Sequence, residues 1–260
     1  MDAPSLQAQQ PLAGHTLWLT RPAQQAMALQ AALEAQGARV FCLPLLDIVA
    51  LPPEREALQH LQNLDHYDIV IYISGNAARL GLERILEWWP QYPAGLLNVA
   101  AGTGTAAVLQ ERGLEVCYPT ERMDSEGMLA LPELRDIQGK RALIVRGVGG
   151  REVLAEGLRA RGCRVDYVEL YARVAPRHTP DYLAHCLATL PPDALVISSM
   201  DAMDNLKALF LTLEAWRELP LFVASARLHT HALQLGFQRV RRLDSASDAA
   251  IIAGLGAAFA

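Results

Sequence analysis

The sequence predicts an α/β protein built from two copies of one parallel-sheet unit, and three observations predict it. Apolar runs of strand length alternate strictly with stretches of helical periodicity, the pattern of parallel strands covered by helices on both faces. A shift of 125 positions lays the chain on itself without a gap: Arg21, Leu29, Leu33, Ala35, Gly37, Arg39 and Val40 fall on Arg146, Leu154, Leu158, Ala160, Gly162, Arg164 and Val165. The same shift puts Asp68, Ser74 and Ala77 on Asp193, Ser199 and Ala202. Finally, residues 39–51 and 164–175 form two extended runs of about a dozen residues. At ~3.3 Å per residue each would span roughly 40 Å, about twice an ordinary strand.

The elements follow in order. Residues 15–20 read as a strand ending in Thr20-Arg21-Pro22, and 24–36 as a helix with Met27, Leu29 and Leu33 inward and Gly37 as its stop. After the first long run, 54–63 is helical and 68–73 is a buried strand leading through Ser74-Gly75-Asn76 into a helix over 77–88. Strand 96–101 turns at Gly102-Thr103-Gly104-Thr105 into a helix closed by Gly113; a strand follows at 115–118, and Ser125 opens a helix to 134. Strand 142–145 leads into Arg146-Gly147-Val148-Gly149-Gly150-Arg151, where an α/β protein places ligand-contacting backbone. The helix after it carries Val153, Leu154 and Leu158 and ends at Gly162; the second long run holds Tyr167 and Tyr171. Then come helix 180–190, strand 194–198, a helix opened by Ser199, strand 221–224, helix 226–235 stopped by Gly236, strand 239–243 and a last helix from Ser247. The apolar patterns at 206–213 and 249–255 read as core faces.

The long runs suggest how the copies are joined. Each would serve one sheet with its first half and cross to the other domain with its second; Pro44, a missing donor, fits the break in the first. Domain 1 is then residues 1–45 with 173–260, domain 2 is 52–168, and 46–51 with 169–172 form a two-stranded antiparallel hinge. A cleft lined by carboxyl ends of strands would lie between the domains.

Composition narrows the function. A net charge of −5 and a pI near 5.8 argue against nucleic-acid binding, which wants a basic stripe. Cys42, Cys117, Cys163 and Cys186 are scattered without a CxxC pair and read as reduced thiols of a cytoplasmic protein. Residues 1–14 are polar, read as a loose tail, and lack the apolar stretch of an export signal; no run has the length of a membrane span. His229 and His231 are two apart on a helix and point to different faces, so no metal site is expected. One competing motif is Gly102-Thr103-Gly104-Thr105-Ala106-Ala107 with Glu121 downstream, which would suit a nicotinamide-dependent oxidoreductase. Its repeat counterpart near Ser225 lacks the glycines, and the Gly147-Val148-Gly149-Gly150 turn fails the fingerprint at Glu152.

Leu19-Thr20-Arg21-Pro22 with its helix and Gly37-Ala38, the Leu43-Pro44 step, and IVRGVGGREVLAEGLRARGCRVDYVELY (residues 144–171) resemble the uroporphyrinogen-III synthase family over nearly the whole chain from His15. The resemblance implies two flavodoxin-like domains with parallel sheets joined by a two-stranded β-ladder, no metal and no cofactor. It implies a cytoplasmic lyase, a monomer, acting on hydroxymethylbilane, a linear tetrapyrrole polycarboxylate. Such an enzyme closes that chain with inversion of ring D through a spiro intermediate, and a hand-off from hydroxymethylbilane synthase is possible.

Under that resemblance Tyr171 matches the family's functionally important tyrosine and would help the hydroxyl depart. The repeat puts Leu46 at the equivalent place, so the tyrosine breaks the symmetry. Ser74, Asn76, Thr103, Thr105, Ser198 and Ser199 stand at strand-to-helix turns, where hydroxyls and backbone N–H groups attract anions. Each alone reads more simply as a helix cap; as a set they suit carboxylate binding. Arg21, Arg146, Arg151 and Arg227, with the Gly150 backbone, complete the expected binding surface. The Ser225-Ala226-Arg227-Leu228 turn departs from the Gly-Pro-x-Thr common in the family, so no threonine contact is carried over there. The rival from another class is a non-catalytic two-lobe small-molecule binding module.

Overall fold

The computed structural model describes residues 10–210 and 216–259. Its elements alternate as the sequence predicts: β1 (Thr16–Leu19), α1 (Ala23–Ala35), β2 (Arg39–Cys42), β3 (Asp47–Ala50), α2 (Arg55–Gln62), β4 (Ile69–Tyr72), α3 (Gly75–Trp88), β5 (Leu97–Ala100), α4 (Thr103–Gln110) and α5 (Ser125–Ala130). They continue as β6 (Arg141–Gly147), α6 (Val153–Ala160), β7 (Arg164–Val174), α7 (Pro180–Thr189), β8 (Ala194–Ile197), α8 (Met200–Phe210), β9 (Leu221–Val223), α9 (Ala226–Leu235), β10 (Val240–Arg242) and α10 (Asp248–Phe259). The strands form two five-stranded sheets, ordered β10-β9-β8-β1-β2 and β3-β7-β6-β4-β5. The chain divides into two units, one comprising the residues up to Asp47 with those from Val174 onward, the other Ile48–Arg173.

The sequence repeat is a structural one. The 125-residue shift carries β4 onto β8 and starts β1 and β2 where β6 and β7 start. β1 pairs in parallel with β2 and β8, just as β6 pairs in parallel with β7 and β4. Each sheet therefore reverses its strand order at one place, and there α/β sheets leave a crevice beyond the carboxyl ends.

Alternate residues of each central strand face opposite covering layers. In the first unit Trp18, Leu195 and Ile197 join one apolar cluster and Leu17, Leu19 and Val196 the other; Val70, Tyr72, Leu143 and Val145 against Ile69, Ile71, Ala142 and Ile144 do the same in the second. Burying each Val, Leu or Ile side chain among them contributes about 2 kcal/mol.

Several expectations need correction. In α1 the buried stripe is Ala26, Leu29 and Leu33, while Met27 is 67% exposed. In α6 Leu154 and Leu158 are buried and Val153 is exposed. Both outliers sit one position off the inward face. The run at 39–51 divides where Pro44 suggested: β2 stays in the first sheet and β3 joins the second. His178 Nε2 meets the Pro44 carbonyl at 2.6 Å and Asn205 Nδ2 donates to that of Leu45 at 2.8 Å, satisfying backbone the break releases. β7, by contrast, pairs with β6 from Arg164 to Tyr171 within the second sheet. The strand expected at 115–118 reduces to a single bridge between Val99 and Cys117. Pro132 forces Leu131 into an extended conformation, so α5 ends at Ala130. The supposed loose tail is partly packed, because Leu12 is fully buried and its N–H donates to the Gln36 carbonyl at 3.2 Å; residues 1–9 lie outside the described residues. Leu206 and Phe210 are buried as expected, whereas 211–213 also lie outside. Among the described residues no helix is long and apolar enough to cross a membrane. All four cysteines are free; burial raises the Cys42, Cys117 and Cys163 thiols.

At the amino end of the second sheet Asp166 accepts from Arg141 Nη2 at 2.9 Å and from the Tyr67 hydroxyl at 2.8 Å. Burial pushes its carboxyl up, but those two hydrogen bonds outweigh it and hold the group below its usual value. A carboxyl lowered on folding stabilises the protein above its unfolded pKa, ~3.9, and loses that contribution as pH falls through the folded value. Asp166→Asn is therefore expected to flatten the acid limb of urea midpoint against pH below about pH 4. An unchanged limb would show that the bonds add nothing.

Candidate active site at the carboxyl ends of the second sheet

The sequence places Tyr171 on a strand; an irregularity in the ladder decides where it points. Arg146 pairs with Glu169, but Gly147 pairs with Tyr171, so β7 holds one extra residue at that step. Such a bulge re-aims the side chain after it. As a result Leu170 and Tyr171 are both buried although adjacent. The Tyr171 ring packs against Gly147, where a β-carbon would sit 2.5 Å from Cε2. Its hydroxyl meets Ser74 Oγ at 2.9 Å and accepts from Arg173 Nη2 at 3.3 Å. Ser74 also caps α3, its Oγ accepting from the Ala77 N–H at 3.0 Å. Tyr171 is 0% exposed, and its hydroxyl partner Ser74 is partly exposed.

The other expected residues separate into groups. Arg146 is buried: its guanidinium pairs with Glu152 at 2.9 Å and Glu169 at 3.5 Å, donates to the Gly147 and Gly149 carbonyls, and lies 4.8 Å from the Tyr167 ring centre. Gly149 and Gly150 both have positive φ, 74° and 111°, and a β-carbon at Gly150 would come 3.1 Å from Arg146 Nη2. These glycines let the turn wrap the guanidinium. A cavity of ≈ 280 Å³ opens beside it, lined among others by Met123, Ser125, Gly150, Arg151 and Arg173. Arg151 and Arg173 are exposed there. Asn76 is partly exposed in the first turn of α3; Thr105 is buried in α4, and Thr103 is exposed with its Oγ1 3.9 Å from Met123 Sδ. Met123 also packs on Gly102, where a β-carbon would meet its sulfur at 2.9 Å.

In the first unit Arg21 is occupied, pairing with Asp248 at 2.6 Å and donating to the Ala246 carbonyl. Ser199 caps α8 through the Ala202 N–H at 3.1 Å, and Ser225 caps α9 through Leu228 N–H at 3.2 Å. Ser198 is partly exposed and Arg227 exposed at the same carboxyl ends. His231 Nε2 lies 2.6 Å from Asp204 Oδ1, and no group of three or more potential ligands is placed to hold a metal among the described residues.

Sequence reasoning gave Tyr167, Ser125 and Arg173 no place in the site, and it put Gly147 in the turn without the packing role it has against Tyr171. A signal for Arg173 existed: two positions after Tyr171 on a strand, it shares that residue's side. The bulge left none.

Comparison with known proteins covers most of the chain. The family model described as uroporphyrinogen-III synthase HemD matches residues 27–253. A uroporphyrinogen-III synthase of Salmonella typhimurium is 35% identical over 249 residues, 92% of this chain and 99% of that one. That of Escherichia coli is 30% identical over 247 residues, with the same coverage. Among solved structures, a mutant uroporphyrinogen III synthase from Thermus thermophilus aligns with a TM-score of 0.62 at 17% identity, covering 94% of this chain and 98% of that one. The Helicobacter pylori uroporphyrinogen-III synthetase gives 0.60 at 14% identity, covering 95% and 99%.

Proposed function

Since the chain belongs to the uroporphyrinogen-III synthase family, we propose that it converts hydroxymethylbilane to uroporphyrinogen III as a cyclising hydro-lyase. The hydroxymethyl C–O bond breaks, and the departing hydroxide takes a proton and leaves as water. The cationic azafulvene left behind is attacked by ring D through its substituted α-carbon. The spiro intermediate then fragments and recloses with that ring inverted. Family membership sets aside the binding-module and nicotinamide-dependent readings.

One observation carries the chemical assignment: the Tyr171 phenol, held against Gly147 and tied to Ser74 and Arg173, is a fixed proton source at a carboxyl-end crevice. Carboxylates of the substrate fall to helix N-termini and their neighbours: Ser74, Asn76, Thr103, Thr105, the Gly150 backbone and Arg151 in one unit, Ser198, Ser199 and Arg227 in the other. Arg21 and Arg146 serve indirectly, as ion-paired supports of their turns. The assignment of domains as 1–45 with 173–260, and 52–168, joined by 46–51 and 169–172, draws support from unit boundaries beside those joints. Because hydroxymethylbilane also cyclises unaided to the uninverted isomer, direct transfer from its synthase would limit that loss.

Purified protein added to freshly generated hydroxymethylbilane is expected to yield predominantly uroporphyrinogen III by chromatography. Formation of the uninverted isomer alone would end this reading.

A further inference from the structure

Building on the reading above, we propose that Ser74, and not the buried Tyr171, delivers the proton to the leaving hydroxyl, with Tyr171 relaying behind it. Burial of the phenol poses the problem: at 0% exposure its oxygen reaches a substrate only through a neighbour. Ser74 Oγ is that neighbour at 2.9 Å, and Ser74 is a partly exposed residue. A count of hydrogens favours this direction. Arg173 can only donate, so its 3.3 Å contact occupies a lone pair of the phenol oxygen. The phenol proton is then free to point at Ser74 Oγ, which leaves the serine proton to point outward. Ser74 Oγ keeps its second acceptor bond, from the Ala77 N–H at 3.0 Å.

The relay balances. As the hydroxymethyl C–O bond breaks, the departing oxygen takes the Ser74 proton and becomes water. Ser74 takes the Tyr171 proton, and the phenolate formed lies beside the Arg173 guanidinium, whose Cζ is 5.4 Å from the ring centre. Negative charge thus develops next to a fixed cation while the substrate becomes cationic.

The repeat provides an internal control. Ser199, 125 positions on, caps α8 in the same way through the Ala202 N–H, and the residue equivalent to Tyr171 is Leu46. The cap alone needs no phenol. The added serine–phenol contact belongs to the second unit, so helix capping does not account for it.

Single-turnover rates of inverted product formation test the relay with four variants of the full chain and the double variant. Tyr171→Phe and Ser74→Ala are each expected to slow the step by about 10²-fold, in the range of general acid catalysis. The double variant should be no slower than the slower single, because one proton path is cut twice. Ser74→Asn keeps a cap acceptor but cannot relay, and should match Ser74→Ala; Ser74→Thr keeps cap and hydroxyl and should recover to within about threefold of the parent. A full rate with Ser74→Asn, or multiplicative losses in the double variant, would overturn the relay and return the proton to Tyr171 or to another group. Failure of the unaltered protein to form inverted product would instead overturn the function itself.

Discussion

Gly147→Ala is expected to lower stability by about 1–3 kcal/mol, as overpacking does, and to cut turnover at least about tenfold. The reason is local and geometric. A β-carbon there would stand 2.5, 2.7 and 2.9 Å from Cε2, Cζ and Cδ2 of Tyr171. The ring has little room to yield, being buried and tied at its hydroxyl by Ser74 and Arg173. Gly147 has no positive φ, so alanine suffers no backbone penalty and the clash is the whole effect. A second substitution checks this. Tyr171→Leu, which copies Leu46 of the first repeat, should restore much of the denaturation midpoint of Gly147→Ala without restoring activity. A midpoint for Gly147→Ala equal to that of the parent protein would show that the ring is not packed as described.

Arg146→Met should cost about 3 kcal/mol of stability. Removing one side of a buried ion pair costs ~3–5 kcal/mol; the lower end applies because the Glu152 and Glu169 side chains are 46% and 41% exposed and regain water. The donors lost to the Gly147 and Gly149 carbonyls are part of that loss. A urea midpoint reads this loss, and steady-state kinetics read the alternative. If Arg146 instead grips a substrate carboxylate, KM rises with the midpoint unmoved. The two roles therefore predict opposite pairs of results.

Much of the fold could be read along the chain because its signals are local. Gly162 and Gly236 stop α6 and α9 with φ of 78° and 101°, as glycine does where the helix must leave in the left-handed region. The boundaries of α9 are those read from periodicity and stop residues, and β7 ends one residue short of the run read there. The repeat was legible for the same reason: a copied unit keeps its spacing, and the strand neighbours follow the copy. Some expectations failed for local reasons, as at Pro132, and others because a partner not predictable from periodicity decided. The arginines at 21 and 146 carry a binding residue's credentials in one dimension, yet each meets a carboxylate that periodicity does not place; Asp248 is 227 positions from Arg21.

What the sequence determined by itself was the alternation of elements, the doubled unit and the family. All three rest on residue types at short or constant spacing. The tertiary structure alone decided which of the candidate groups are buried and which reach the surface. One extra residue in β7 turns Tyr171 into the core against Gly147, and this puts Ser74 between the phenol and the surface. That outcome depends on register between strands more than twenty residues apart, where a single-residue slip turns a side chain to the opposite face.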